Sequence, residues 1–104
     1  MARRRRLPAR VWSAIGPVPV RRRSMRRRGL WGEFDRSTRT ISVATEIEDA
    51  TAVQTLWHEI VHLALTDGQA GLPEDVEERV CDAVAHYLAG MQAAGHLSIR
   101  SPPK

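Results

Sequence analysis

The sequence predicts a small α+β domain, and two kinds of periodicity support this prediction. Apolar residues recur at helical spacing over residues 51–66 and again over residues 74–94. Before them, residues 38–44 alternate between polar and apolar side chains, as expected of a strand with one buried face. We expect a chain of 104 residues to form one small core with no second lobe.

The strands are predicted to precede the helices. The Pro-Val-Pro-Val run at residues 17–20 is a candidate extended segment, and its prolines place it at a sheet edge because proline cannot donate to a neighbouring strand. Residues 29–34 and 38–44 predict two further strands, joined by the polar turn at residues 35–37. Since a short turn joins antiparallel neighbours, we expect a small antiparallel sheet.

Two amphipathic helices complete the predicted fold and pack their apolar faces on the sheet and on each other. The first helix ends at Asp67-Gly68, and the second ends at Gly95. The second helix begins with acidic residues, which the positive end of the helix dipole favours. The predicted inward-facing residues are Val53, Leu56, Trp57, Ile60 and Ala64 in the first helix and Val76, Val80, Ala83, Val84, Tyr87, Leu88 and Met91 in the second.

Charge divides the chain into two unequal parts. Residues 1–28 contain eleven arginines and no acidic residue, whereas residues 29–104 contain five basic and twelve acidic residues, and the net charge is +4. We therefore expect an Arg-rich, partly disordered arm at residues 1–28, a folded domain at 29–95 and a tail at 96–104. The arm is interpreted as a ligand for nucleic-acid phosphates or acidic proteins, or else as a solvated tail.

The single cysteine, Cys81, excludes an internal disulfide and fits a reducing cytoplasm. We expect it to be a small buried apolar residue and not a metal ligand. No apolar run approaches the roughly 18 residues of a membrane span, and no signal-peptide core follows the first arginines. These observations predict a cytoplasmic protein with no membrane partner.

The motif that carries chemistry is His-Glu-Ile-Val-His at residues 58–62. Residues four apart on a helix share a face and lie about 6 Å apart along its axis, so His58 and His62 can reach one metal ion. Glu59 then lies beside that ion, where it can take a proton from a metal-activated water. Such a site predicts Zn²⁺; an exposed His/Glu helix face without a metal is the alternative interpretation.

A site of this kind needs a third protein ligand, and the second helix offers two candidates. Glu77 borders the apolar stripe and so should face the first helix, which makes it the preferred ligand. Glu78 points further toward solvent on an ideal helical wheel, yet it begins an E-x-x-x-D pattern with Asp82. The predicted ligands are therefore His58, His62 and Glu77, with Glu78 as the alternative.

Residues 29–92 resemble the small phage and bacterial zincins, including the ImmA/IrrE-like metallopeptidases. The similarity rests on the Thr-Ile-Ser-Val strand, the H-E-I-V-H helix and a second helix that opens Glu77-Glu78-Arg79-Val80. In ImmA/IrrE-like proteins the third ligand is the first Glu of E-x-x-A-x-x-F-A, a register that Glu77 shares, although Val80 and Val84 depart from it. The E-x-x-x-D spacing is instead similar to thermolysin-type gluzincins, in which the Asp orients a metal histidine.

The resemblance implies a minimal zincin fold, in which the sheet packs on the H-E-x-x-H helix and the C-terminal helix completes the zinc site. The sequence thus predicts a zinc peptidase that cleaves a protein substrate with Glu59 as general base. Two alternatives stay open: a non-catalytic, zinc-stabilised protein that binds nucleic acid through its arm, and a partner-docking protein of a phage or mobile element. We expect a substrate peptide to add to the exposed sheet edge, with residues 38–44 as the first candidate.

Overall fold

In the computed structural model, which describes residues 7–99, four strands are followed by two helices. The α+β class is therefore confirmed. A short 3₁₀ helix, Arg26–Arg28, connects the second and third strands. The strands are β1 (Arg10–Ser13), β2 (Gly16–Arg23), β3 (Gly32–Asp35) and β4 (Thr40–Ala44), and the helices are α1 (Asp49–Asp67) and α2 (Glu74–Ala93).

The sheet is mixed, so the prediction of an antiparallel sheet is wrong. Its strand order is β1-β2-β4-β3, and the two outer pairs are antiparallel. The central pair, β2 and β4, is parallel, with Val20 opposite Ile41 and Arg23 opposite Ala44. The polar turn between β3 and β4 determined only how those two strands pair. The position of this hairpin beside β2 is decided by burial of the apolar residues of β4 against α1.

The arginine-rich segment belongs to the fold, so the predicted domain boundary at residue 29 is wrong. β2 lies inside the sheet between β1 and β4. Val11 and Val18 face each other across β1 and β2 and are buried in the core, and Met25 is only 1% exposed. These three apolar residues hold the segment in place between its arginines. The predicted disorder of residues 1–6 lies outside the described residues.

The prolines of β2 occupy an interior strand at no cost in strand hydrogen bonds. The amide of Val20 donates to the carbonyl of Ala9 at 2.8 Å, so strand alternation points the nitrogens of Pro17 and Pro19 away from β1. β4 pairs with β2 only from Val20 onward. The prolines therefore lie where β2 has a neighbour on one side alone, and the predicted edge position holds locally but not for the whole strand.

The core lies between the sheet and α1, and α2 packs on α1. Residues 41–44 of β4 are all buried, so the half-exposed strand predicted at residues 38–44 is not observed. Ile99 packs against the core, so the predicted tail at residues 96–104 begins within the fold. The buried core residues are Val11, Val18, Ile41, Val43, Ala52, Leu56 and Leu63.

The inward faces of both helices differ in part from the predicted apolar stripes. In α1, Ala64 is exposed. In α2, the buried residues are the small Cys81 and Ala85, whereas Val84 and Tyr87 are 38% and 65% exposed. Small residues allow close approach of two helix backbones, so α2 turns this side toward α1. Within residues 7–99, neither helix combines the length and apolar character needed to cross a membrane.

Polar contacts fix α1 relative to its neighbours. The guanidinium of Arg39, just before β4, donates to both carboxylate oxygens of Asp67 at 2.8 and 3.0 Å. These hydrogen bonds hold the pKa of Asp67 below its usual value. Near the middle of α1, the indole of Trp57 donates to the side-chain carbonyl of Gln92 in α2 at 2.9 Å. The helix that carries the H-E-x-x-H motif is thus tied to the sheet and to α2.

Gly32 allows the edge strand β3 to approach α1 closely. A Cβ atom at Gly32 would lie 2.5 Å from Cγ2 of Thr55 and 3.2 Å from the carbonyl oxygen of Ser42. We predict that Gly32→Ala lowers the free energy of unfolding by about 1–3 kcal/mol, as overpacking does, in urea denaturation. Thr55→Ser removes Cγ2, so the same substitution should cost less in that background. Equal losses in both backgrounds would contradict a clash with Thr55.

Candidate metal centre

The first turns of α2 lie against the middle of α1, and this contact assembles the site. His58 and His62, one helical turn apart on α1, face α2. Three carboxylates reach them from α2: Glu77, Glu78 and Asp82. The spacing of four residues in the H-E-x-x-H motif and again between Glu78 and Asp82 places each set on one helix face.

Each histidine is held by a carboxylate through its Nδ1 nitrogen. Nδ1 of His58 lies 2.8 Å from Oδ1 of Asp82, and Nδ1 of His62 lies 2.5 Å from Oε2 of Glu77. A metal ion at Nε2 requires the imidazole proton on Nδ1, where Asp82 and Glu77 are placed to accept it. In that tautomer each Nε2 has a free lone pair.

These two lone pairs meet at one point, together with the carboxylate of Glu78. The two Nε2 atoms are 3.1 Å apart. Oxygens of Glu78 lie 3.2 Å from Nε2 of His58 and 2.7 Å from Nε2 of His62. Ligand atoms of a tetrahedral zinc ion, each about 2.0–2.1 Å from the metal, are separated by roughly 3.3 Å. Acceptor atoms this close repel one another unless a proton or metal ion lies among them. Two groups of side chains here are close enough to hold a metal ion: His58, His62 and Cys81, and His58, Glu78 and Asp82.

Glu77, the preferred third ligand from the sequence, is not at this point, so its role as a ligand stays a prediction. Its carboxylate lies at the opposite nitrogen of His62 and also accepts a hydrogen bond from Arg36 at 3.3 Å. The structure brings the alternative, Glu78, to the two Nε2 atoms instead.

The physical reason is the rotation of α2 about its axis. The predicted wheel was oriented by the valines of the apolar stripe, which would direct Glu78 toward solvent. The helix in fact turns Cys81 and Ala85 toward α1. This rotation carries Glu78 and Asp82 to the histidines, and it leaves Val84 at the surface.

Glu59 lies between the histidines and β3 and is only 6% exposed. Its side chain lies next to Gly32. Burial raises the pKa of Glu59, and the neighbouring imidazoles oppose part of that rise. The backbone amide of Phe34 donates to its carboxylate. Glu59 is thus a shielded carboxylate with one fixed hydrogen bond, as a proton-transferring group requires.

Cys81 lies under the same site and is fully buried. Burial and the surrounding carboxylates raise the pKa of its thiol to about 12. Its sulfur is close enough to the two histidines to share a metal ion with them. Cys81 also fills the narrow space between the two helices.

A cleft of about 890 Å³ opens over these groups. β3 forms one wall and is an edge strand, whereas β4 is interior, so the substrate edge expected at residues 38–44 is wrong. The amide of Ala44 donates to the carbonyl of Trp31 at 2.7 Å, so alternation directs the carbonyls of Gly32 and Phe34 away from β4. The other wall includes Leu65 and Leu72.

No protein-family model, curated protein or solved structure matches this chain. Sequence reasoning named His58, Glu59 and His62, and the structure brings all three to the cleft. It missed Gly32 and the part played by Arg36. A glycine inside a strand often marks close approach of another backbone, and that signal was present in the sequence.

We predict that metal affinity falls further in Glu78→Ala than in Glu77→Ala. The first substitution removes a candidate ligand atom, whereas the second removes only the partner of Nδ1 of His62, for which a loss of about 10–100-fold is typical. Chelator competition measures both. Asp75→Ala, an exposed carboxylate in the same region of α2, is the control and should leave the affinity unchanged. A greater loss in Glu77→Ala would return the ligand role to Glu77.

Proposed function

We propose that the protein is a zinc-dependent peptidase of the minimal zincin type. The observation that carries this proposal is the convergence of two Nε2 atoms and the Glu78 carboxylate at one point, beside a buried glutamate and an open cleft. In this proposal His58, His62 and Glu78 hold the metal, and Glu59 is the general base. The proposed ligand set replaces Glu77 of the sequence prediction by Glu78.

The chemistry of the donors favours zinc among the common divalent ions. Imidazole nitrogen suits zinc and other transition metals, whereas calcium and magnesium take mainly oxygen ligands. Two histidines and one glutamate form a donor set found in catalytic zinc sites, in which three protein ligands leave a position for water or substrate. The open cleft beside His58 and His62 gives a substrate access to that position.

The carboxylates at Nδ1 prepare the histidines for this role. Asp82 and Glu77 fix the ring orientations of His58 and His62 and make their Nε2 atoms more basic. Arg36 in turn pairs with Glu77 at the mouth of the cleft. We assign Asp82 and Glu77 as positioning residues, because each acts through an imidazole.

The reaction proposed is hydrolysis of a peptide bond. Bound zinc would acidify water, whose pKa falls from about 16 toward 7, and would polarise the scissile carbonyl. Glu59 accepts the proton of the attacking water and then delivers it to the leaving amine. The peptide C–N bond breaks as a C–O bond forms, which yields a carboxylic acid and an amine. The raised pKa of Glu59 suits a group that must both accept and release a proton near neutral pH.

Glu59→Gln tests the proposal, because glutamine keeps the shape of the side chain but cannot accept the proton. We expect the purified variant to retain about one zinc per chain by elemental analysis and to lose about 10²–10⁴-fold in turnover on fluorescein-labelled casein. His58→Ala should lose both zinc and turnover. Loss of zinc in Glu59→Gln would overturn the role assigned to Glu59. Zinc binding without hydrolysis by the wild-type protein would favour the non-catalytic alternative.

The open edge of β3 is the proposed docking strand for an extended substrate. Its carbonyls at Gly32 and Phe34 can accept substrate amides, as in strand addition, and a peptide there would pass beside Glu59. Such pairing engages every second substrate amide.

We predict that N-methylation of a cleaved peptide raises KM at alternate residues only. Methylation removes the amide proton that the β3 carbonyls would accept, whereas the intervening amides point away and serve as matched controls. The KM values of a series of singly methylated peptides give the test. Equal tolerance at every position would show that substrates do not pair with β3.

A further inference from the structure

The arginines of residues 21–28 divide into two groups by what their side chains contact. Arg22 donates to the carbonyl of Ala44 at 2.9 and 3.2 Å, and Arg28 forms a two-pronged ion pair with Glu33 at 2.6 and 2.8 Å. These two stabilise the fold. The other four, Arg21, Arg23, Arg26 and Arg27, are all exposed, and we call them the arginine surface.

The arginine surface has little compensating negative charge. Among residues 7–99, the side chains of Arg21, Arg23 and Arg27 make no hydrogen bond or ion pair. The positive charge of Arg26 contributes to the lowered pKa of Glu46. Ser42 of β4 lies between Arg21 of β2 and Glu33 of β3, so Glu33 is two strands away from Arg21. The carboxylate of Glu33 is already paired with Arg28. Like charges held together repel, so this cluster opposes folding and its presence calls for a partner.

The backbone that carries the arginine surface is fixed, unlike the disordered arm expected from the sequence. Residues 20–23 pair with β4, and the buried Met25 anchors the turn that follows. The amide of Met25 also donates to the carboxylate of Glu46 at 3.1 Å. A ligand therefore has to order side chains alone, which lowers the entropic cost of binding.

The strand alternation directs this charge to the open side of the sheet. Val18 and Val20 of β2 face the core beneath α1, so Arg21 and Arg23 point to the opposite face. Among residues 7–99, both helices lie on the α1 side, since α1 packs on the sheet and α2 packs on α1. The arginine surface is thus accessible to a large, extended partner.

The chemistry of this surface fits a phosphate backbone. A guanidinium donates two parallel hydrogen bonds to a phosphate, and all four cations are arginines. The exposed tryptophans, Trp12 and Trp31, each line a cavity with residues of α1, so we assign the contacts of this surface to phosphates and not to stacked bases.

We infer that the arginine surface binds the phosphates of duplex DNA without reading base sequence. This inference does not rest on the peptidase activity, because it uses residues outside the cleft. The nucleic-acid contact that the sequence predicted for the whole of residues 1–28 is thereby assigned to the four residues of the arginine surface.

The experiment measures binding of the full chain to a short fluorescent DNA duplex by anisotropy over a range of salt concentrations. The affinity should fall with salt, and the triple variant Arg21→Ala/Arg23→Ala/Arg27→Ala should flatten the log–log slope by about 2.7, since each phosphate contact contributes about 0.9. The corresponding triple lysine variant should keep most of the slope. Arg79→Ala, an exposed arginine on α2, is the control and should leave it unchanged.

Other binding segments and other partners are each tested by a separate measurement. Deletion of residues 2–6 separates the terminal arginines from the arginine surface, and the triple variant should flatten the slope equally in both backgrounds. No effect of the triple variant in either background would overturn the inference. Tighter binding to single-stranded DNA, duplex RNA or poly-glutamate of equal charge would also overturn it. Circular dichroism checks folding, and if the triple variant is unfolded, each single substitution should flatten the slope by about 0.9.

Discussion

The packing of the first turns of α2 against the middle of α1 brings two imidazoles and three carboxylates into one small volume. Charged groups resist such crowding, because each loses part of its hydration. The arrangement is stable where every group has a partner of suitable sign. Asp82 and Glu77 lie at the two Nδ1 atoms, and with the imidazole protons there, Glu78 and the two Nε2 atoms present only lone pairs to one another. A cation among these atoms would remove their repulsion, so the site and the helix packing stabilise each other when a metal is bound.

Close packing of the helices depends on small side chains at their contact. Cys81 and Ala85 allow the approach, and larger residues there would hold the carboxylates away from the imidazoles. The same constraint leaves Val84 and Tyr87 exposed, although both belong to the apolar stripe of α2. The face that a helix buries is therefore decided here by the requirement for close approach, and the most apolar face is partly left at the surface.

The sheet supplies the second constraint, since β3 must lie close enough to α1 to bury Glu59. Gly32 permits this approach, and the amide of Phe34 provides the hydrogen bond that a buried carboxylate needs.

The segment that precedes β3 carries positive charge, in contrast to the acidic residues around the cleft. Arg21 and Arg23 lie on the open face of the sheet, and the acidic start of α2 lies on the helical side. The fold thereby separates a cationic surface from an anionic cleft within one small domain.

The sequence by itself determined the α+β class, both helices to within about two residues, the β3–β4 hairpin and the histidines and glutamate of the H-E-x-x-H motif. These features depend on local periodicity, turn chemistry and residue spacing, which act over a few residues. It also offered Glu78, through its spacing from Asp82, but could not choose between Glu78 and Glu77. Adjacent helix residues differ by about 100° in direction, so a modest rotation of α2 changes which carboxylate faces the histidines.

Only the tertiary structure decided the position of β2 and the role of the arginine-rich segment. With eleven arginines and few valines, the composition of residues 1–28 predicts a disordered arm and not two strands. Val11 and Val18 nevertheless meet across β1 and β2 and complete the core. The parallel pairing of β2 with β4 joins segments about 20 residues apart, and no local pattern encodes it. Long-range burial, which depends on every element being in place at once, determined the sheet order, the open edge at β3 and the rotation of α2 that selects Glu78.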